Sequence, residues 1–150
     1  QMADSVLSSI VNEGWSDEQK ARAIYTYVKR HISYVGGESA HEWRTIGARG
    51  LAYGSGDCYV HYAAARLLLA RAGIPNLTVE RYPAGNPMHW WNLVYVRGGW
   101  YHLDTEPRRH DGTFCLCTSQ QMWNHTPGRT FSYNQALYPE MATKVISPNP

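Results

Sequence analysis

The sequence predicts an α+β domain, with its helices first and an antiparallel sheet after them. Three observations carry this expectation. Ala21, Ile24, Tyr25, Val28 and Ile32 recur at helical spacing in the first half of the chain. The stretch 58–72 is then apolar on most faces, which suits a central buried helix. Beyond Gly73-Ile74-Pro75 the apolar period changes to two. Helices and strands segregated along the chain indicate α+β rather than an alternating α/β arrangement.

The elements follow in order. A short helix is expected over 4–12. Ser16-Asp17-Glu18-Gln19 has the form of a capping box, with Ser16 as N-cap and Gln19 three residues on. It opens a helix over 17–34, which Val35-Gly36-Gly37 stops, and 41–52 holds a further helix. Asp57 opens the strongest helix, 58–72, through Ala63-Ala64-Ala65 and Leu67-Leu68-Leu69. Gly73 followed by Pro75 ends it in the usual order. Strands are expected over 77–82, 89–96 and 100–104, the last two joined at Arg97-Gly98-Gly99 as a hairpin. A further strand is expected over 114–116. Thr118-Ser119-Gln120-Gln121 is a second capping box, opening a short helix through Trp123. The residues 145–150, ending Ser147-Pro148-Asn149-Pro150, read as a domain edge or linker.

Composition narrows the function classes. The 150 residues suffice for one domain with a real core. Hydrophobic residues make up 43%, aromatics 13% and charged residues 17%, which excludes a disordered chain. The longest apolar stretch is broken by Arg66 and Arg71, so no membrane span is expected. With 14 basic against 12 acidic residues and no basic run, no nucleic-acid partner is expected either. Three cysteines, Cys58, Cys115 and Cys117, make no disulfide scaffold, and at least one thiol is expected to be free. Residue 1 is Gln rather than Met, which reads as a processed or excised piece, a monomeric domain of a larger protein.

The chemistry gathers around Cys58. It follows Gly56-Asp57 and falls on the first turn of the buried helix, where unpaired N–H groups and the positive end of the helix dipole favour a thiolate. The same N–H groups can receive the oxyanion of a tetrahedral intermediate. Gly54 and Gly56 let the chain turn sharply there and let a substrate approach. His89, at the start of a strand, is the candidate proton partner. Asp104, at the end of the next strand of the same hairpin, can accept from the imidazole and fix its tautomer.

The order Cys, His, Asp in these settings resembles the transglutaminase-like superfamily of papain-type cysteine enzymes. The marks are Gly56-Asp57-Cys58, the helix ending Ala72-Gly73-Ile74-Pro75, then His89-Trp90-Trp91-Asn92 and Trp100-Tyr101-His102-Leu103-Asp104, spread over about 24–123. The resemblance implies a papain-like transglutaminase-core fold, with the nucleophile helix packed on the sheet. It also implies a nucleophilic Cys58, a base and acid His89, and an orienting Asp104. The implied reaction is acyl transfer on a peptide or protein amide through a thioester, with cysteine-peptidase-like hydrolysis favoured slightly over protein-glutamine cross-linking. The acidic residues are scattered, unlike a calcium loop, so neither metal nor organic cofactor is expected, and the chain more nearly resembles the compact bacterial members. That family's habits favour an extracellular or cell-surface location, with the cytoplasm as the alternative.

Competing readings exist for each residue. A free cysteine is commonly a small buried hydrophobe, a strand histidine can simply bond backbone, and Asp104 could cap a turn with Thr105. His61, one turn after Cys58, and His102, on the strand face of Asp104, are rival bases. Trp90 and Trp91 point to opposite faces, and Trp91, on the face of His89, is a candidate wall for the cleft. Asp57, Trp91, Tyr53 and Trp43 are the candidates for lining the substrate site or supporting the oxyanion, with core packing competing for Tyr53 and Trp43. Cys115-Leu116-Cys117, flanked by His110 and His125, lacks usual zinc spacing, and one of its two thiols is expected inside and one outside. His41-Glu42 begins like a zinc-peptidase motif, but Thr45 stands where the second histidine belongs. From another class, the rival is a non-catalytic peptide- or glycan-binding module on the same fold.

Overall fold

The computed structural model describes residues 2–36, 42–85, 88–106 and 112–150. The first residue of the expected 41–52 helix, Gly37 of the expected stop, and both His41 and His110 lie outside the described residues. Four helices precede the sheet: α1 (Met2–Ile10), α2 (Asp17–His31), α3 (Trp43–Tyr53) and α4 (Cys58–Arg71). The strands β1 (Ser33–Tyr34) and β2 (Ser55–Gly56) form a small parallel pair. Then come β3 (Asn76–Glu80), β4 (Trp90–Val96), β5 (Gly99–Asp104) and β6 (Phe114–Cys117), a four-stranded antiparallel meander in that order. Helix α5 (Ser119–His125) and one 3₁₀ turn (Gln135–Leu137) complete the chain. This is the expected α+β order. No helix among the described residues is long and apolar enough to cross a membrane.

Helix α4 is the centre. Nine of its side chains are buried, on every face, because α3, α2 and α1 pack around it and the sheet lies below. Close approach of α3 needs Gly47, where a Cβ would meet the Ala63 carbonyl oxygen at 2.7 Å. Helix α2 is opened by the expected box, with Gln19 N–H donating to Ser16 Oγ and Ser16 N–H to Gln19 Oε1. It ends at His31 rather than 34, because Ile32 turns extended (φ −114°, ψ 105°) and Ser33–Tyr34 pair with Ser55–Gly56. A two-residue strand has too few positions to show a period, so tertiary pairing overrode the helical pattern there. Gly54 does make the turn, at φ 74° as the cap of α3. Gly56 serves packing instead, since a Cβ there would collide with the Val60 side chain.

The β4–β5 hairpin pairs Val96 with Gly99, leaving Arg97 (φ 53°) and Gly98 (φ 79°) as a two-residue turn with both φ positive. Between β5 and β6 the register slips, with His102 opposite Cys117 but Leu103 opposite Cys115. Leu116, at φ 57°, is the extra residue of that bulge. Residues two apart in a regular strand share a face, and the bulge separates them here. Cys115 packs with the helices, whereas Cys117 packs with Trp91, Phe114 and Met122 on the other face. Contrary to expectation, both thiols are buried, and burial pushes Cys115 up to about 12 and Cys117 up to about 11. The sheet is thus covered twice. Helices cover one face, and α5 with the segment through Phe131 and Tyr138 covers the other. The C-terminal stretch is anchored, because Gln121 Nε2 donates to the Ser147 carbonyl and Arg22 to Ile146 O and Ser147 Oγ.

Candidate active site

Cys58 is the first residue of α4. Its N-cap Asp57 accepts from the N–H groups of Tyr59 (3.1 Å) and Val60 (3.2 Å), fixing the helix start. Neither bond uses the N–H of Cys58, the first of the helix. The thiol lies 3.7 Å from the Met88 carbonyl oxygen, which places it against the residue preceding His89.

His89 sits one residue before β4, pinned by Arg81 N–H donating to its carbonyl at 2.9 Å. The hairpin register pairs Asn92 with Leu103. One step further sets Trp91 opposite Asp104, so His89, two residues on and on the same face, reaches Asp104 diagonally. Its Nε2 lies 2.7 Å from Asp104 Oδ2, and both residues are almost fully buried. The other carboxylate oxygen, Oδ1, accepts the Glu106 N–H at 3.0 Å, so Asp104 cannot swing away. With Nε2 engaged by Asp104, Cys58 adds a second favourable influence on the charged ring. Burial opposes a charged ring, but the charge and hydrogen bond of Asp104, together with Cys58, outweigh it and raise His89 to about 10.

The wall behind this trio is aromatic. Trp91 stacks on His89 with ring centroids 5.6 Å apart, and Phe131 meets His89 edge-on at 5.7 Å. Trp91 is fully buried, so it shields the ion pair and offers no surface to a ligand. Trp90 faces the other way, edge-on to Tyr59 at 5.1 Å, so the chain neighbours of Cys58 and His89 pair as aromatics.

The rival histidines have other partners. His102 accepts from Trp91 Nε1–H at Nδ1 (3.0 Å) and donates from Nε2 to Ser119 Oγ (2.9 Å). Burial lowers it to about 4, against the pull of Asp104. His61 points to Thr105 Oγ1 at 3.2 Å, and burial lowers it to about 4 as well. Tyr53 is 77% exposed at the end of α3, so it is not part of the core. Trp43 is half-buried, and its ring takes cation–π contacts from Arg66 at 3.8 Å and Arg44 at 4.5 Å.

Three participants escaped the sequence reading. The Met88 carbonyl could not be foreseen because it depends on the loop path. Phe131 lies beyond the motif-bearing stretch. Glu106 had one available signal, a carboxylate two residues after Asp104.

The molecule's likenesses agree with this architecture. The sequence profile of the transglutaminase-like superfamily matches residues 4–105. Among solved structures, a proposed cysteine protease from Cytophaga hutchinsonii superposes with a TM-score of 0.53 at 19% identity, over 69% of this chain and 35% of that one. A transglutaminase ("TGase") structure gives 0.52 at 15% identity, over 93% of this chain and 35% of that one. A proposed protease from Parabacteroides distasonis gives 0.56 at 14% identity, over 75% of this chain and 24% of that one. These likenesses concern the fold, and this chain spans about a third or less of each neighbour's length. No curated protein matches the sequence. With the profile covering more than half of its residues, the chain belongs to the transglutaminase-like superfamily.

Proposed function

We propose that the chain is a thiol-dependent acyl-transfer enzyme acting on peptide or protein amides, with Cys58 as nucleophile, His89 as acid and base, and Asp104 orienting His89. The observation that carries the reading is the 2.7 Å contact of His89 Nε2 with Asp104, to which Cys58 adds a second favourable influence on the charged ring. The imidazolium so held is a ready acid. The Cys58 sulfur attacks the amide carbonyl carbon, and the carbonyl electron pair moves onto oxygen. The Cys58 N–H, left over by Asp57, is the oxyanion donor at hand. As the oxyanion collapses, the C–N bond breaks and His89 delivers its Nδ1 proton to the departing amine, leaving a thioester. Water, or a second amine, then attacks the thioester and gives a proton back to His89, and the thiolate departs. Hydrolysis is favoured, because water always competes and no amine-binding feature stands out around Cys58 among the described residues.

Site-resolved alkylation tests this. A limiting amount of iodoacetamide from about pH 5 to 9, with peptide mass spectrometry, should label Cys58 first and keep labelling it below the range of an ordinary thiol. Cys115 and Cys117, both buried, should lag. A Cys58 no more reactive than those two would defeat the proposal and leave a binding module. With reactivity established, amide substrates with and without added amine separate hydrolysis from transfer.

A further inference from the structure

Glu106 lies two residues past Asp104 and is only 2% exposed. Its backbone N–H holds Asp104 Oδ1 at 3.0 Å, while its own carboxylate returns to the ring, with Oε2 3.9 Å from His89 Nδ1. One imidazole therefore has a carboxylate at each nitrogen: Asp104 at hydrogen-bond distance, and Glu106 at ion-pair distance. A carboxylate this deeply buried is costly without facing cations. Among the described residues, His89 when protonated lies 3.9 Å away, and Lys29 of α2, whose Nζ donates to the Gly112 carbonyl, adds a positive charge that both Asp104 and Glu106 stabilise. Among the described residues, Cys58 on α4 also acts on the ring, while His61 on α4 and Tyr25 on α2, which accepts the Phe114 N–H, feel the Asp104 charge. Moving a proton from Cys58 to His89 sets a cation between two carboxylates. At 3.9 Å Glu106 Oε2 lies beyond hydrogen-bond distance of Nδ1, so it acts on the ring through its charge.

We infer that Glu106 is a second positioning carboxylate for His89: its charge on the Nδ1 side holds the ring as imidazolium and sets the pH window in which the Cys58–His89 pair reacts. This rests on the acyl-transfer reading for its consequence in catalysis, but not for its effect on His89. Glu106→Gln keeps the shape and removes the charge. It should lower the titration inflection of His89, followed by NMR of its ring, by about half a unit or more, the scale expected for one charge at this distance in a polarisable surrounding. Both inflections of the Cys58 alkylation profile should move to lower pH with it, since the lost negative charge had disfavoured the thiolate as well as favoured the imidazolium.

Glu106→Asp, which retains the charge, should fall between wild type and Gln. An amplitude loss in Glu106→Gln with unmoved inflections makes Glu106 structural and overturns the inference. Should Glu106→Gln not fold, the smaller shift of the same sign in Glu106→Asp decides, and its absence overturns the inference equally. A wild-type Cys58 that alkylates like an ordinary thiol would sink the acyl-transfer reading, while the NMR titration of His89 would still judge Glu106.

Discussion

Two buried histidines stand on one face of the sheet with Trp91 between them, and they are opposites. His89 is 3% exposed and His102 is 1% exposed, so burial opposes charge in both. His89 meets the Asp104 carboxylate at 2.7 Å and rises to about 10. His102 meets a neutral donor and a neutral hydroxyl, Trp91 Nε1–H and Ser119 Oγ, and falls to about 4. Burial does not decide what a histidine is for; the charge of its partner does. The region around His89 is built to hold a proton, and the region around His102 is built to refuse one.

The largest expected effect on that contrast is removal of the groups proposed to react. Cys58→Ala and His89→Gln should each lower turnover of an amide substrate by about a thousandfold or more, with the fold intact by circular dichroism. A variant that retained more than a tenth of the wild-type rate would place the chemistry elsewhere. Next comes Asp104→Asn, which keeps the shape but removes the charge that distinguishes the two regions. Turnover should drop by roughly a hundredfold to ten-thousandfold, and the His89 titration should fall towards an ordinary histidine. His102→Gln is the control, because Gln can accept from Trp91 and donate to Ser119. Its turnover should stay within about threefold of wild type.

The two histidines also predict opposite pH dependences of stability. A folded-state value raised to about 10 gives His89 a stabilising contribution that is complete below about 6.5 and lost as pH rises through 10. Values lowered to about 4 make His102 and His61 cost stability progressively as pH falls from about 6.5 to 4. Melting temperatures of wild type should therefore decline on both sides of neutrality. His102→Gln should soften only the acid decline, and a softened alkaline decline instead would reverse the assignment.

Smaller effects test the wall. Trp91→Phe keeps a ring against His89 but leaves His102 Nδ1 without its donor, so stability should fall by about 1–3 kcal/mol in denaturant titrations. Tyr53→Ala, at an exposed helix end, should change stability by less than about 0.5 kcal/mol and leave alkylation of Cys58 unaltered. A clear loss of reactivity there would restore Tyr53 to the site.

Much of this was legible because it is local. Both capping boxes form as written, and α4 starts at Cys58 with Asp57 as its N-cap, because such features are set by neighbours three or four residues away. The change of apolar period after Pro75 located the sheet for the same reason. The candidate trio was legible through motif order, which placed Cys58 at a helix start and His89 and Asp104 at one end of a hairpin.

Other features depend on partners far along the chain. Ile32 left its helix to let Ser33–Tyr34 pair with residues twenty-two positions on, which no local period records. Leu116 broke the alternation of β6 and parted two cysteines that a regular strand would have aligned. His61 and His102 were indistinguishable from His89 by residue type, and only Thr105, Trp91 and Ser119 gave them other roles. The sequence by itself determined the capped starts of α2, α4 and α5, the hairpin and the candidates for the chemistry, since those follow from short-range geometry and side-chain chemistry. Tertiary structure alone decided which histidine faces a carboxylate, that Trp91 is buried behind it, and that Glu106 folds back onto the ring. Each of those depends on groups brought together through the sheet register and the packing of α4, where a residue's electrostatic surroundings are first defined.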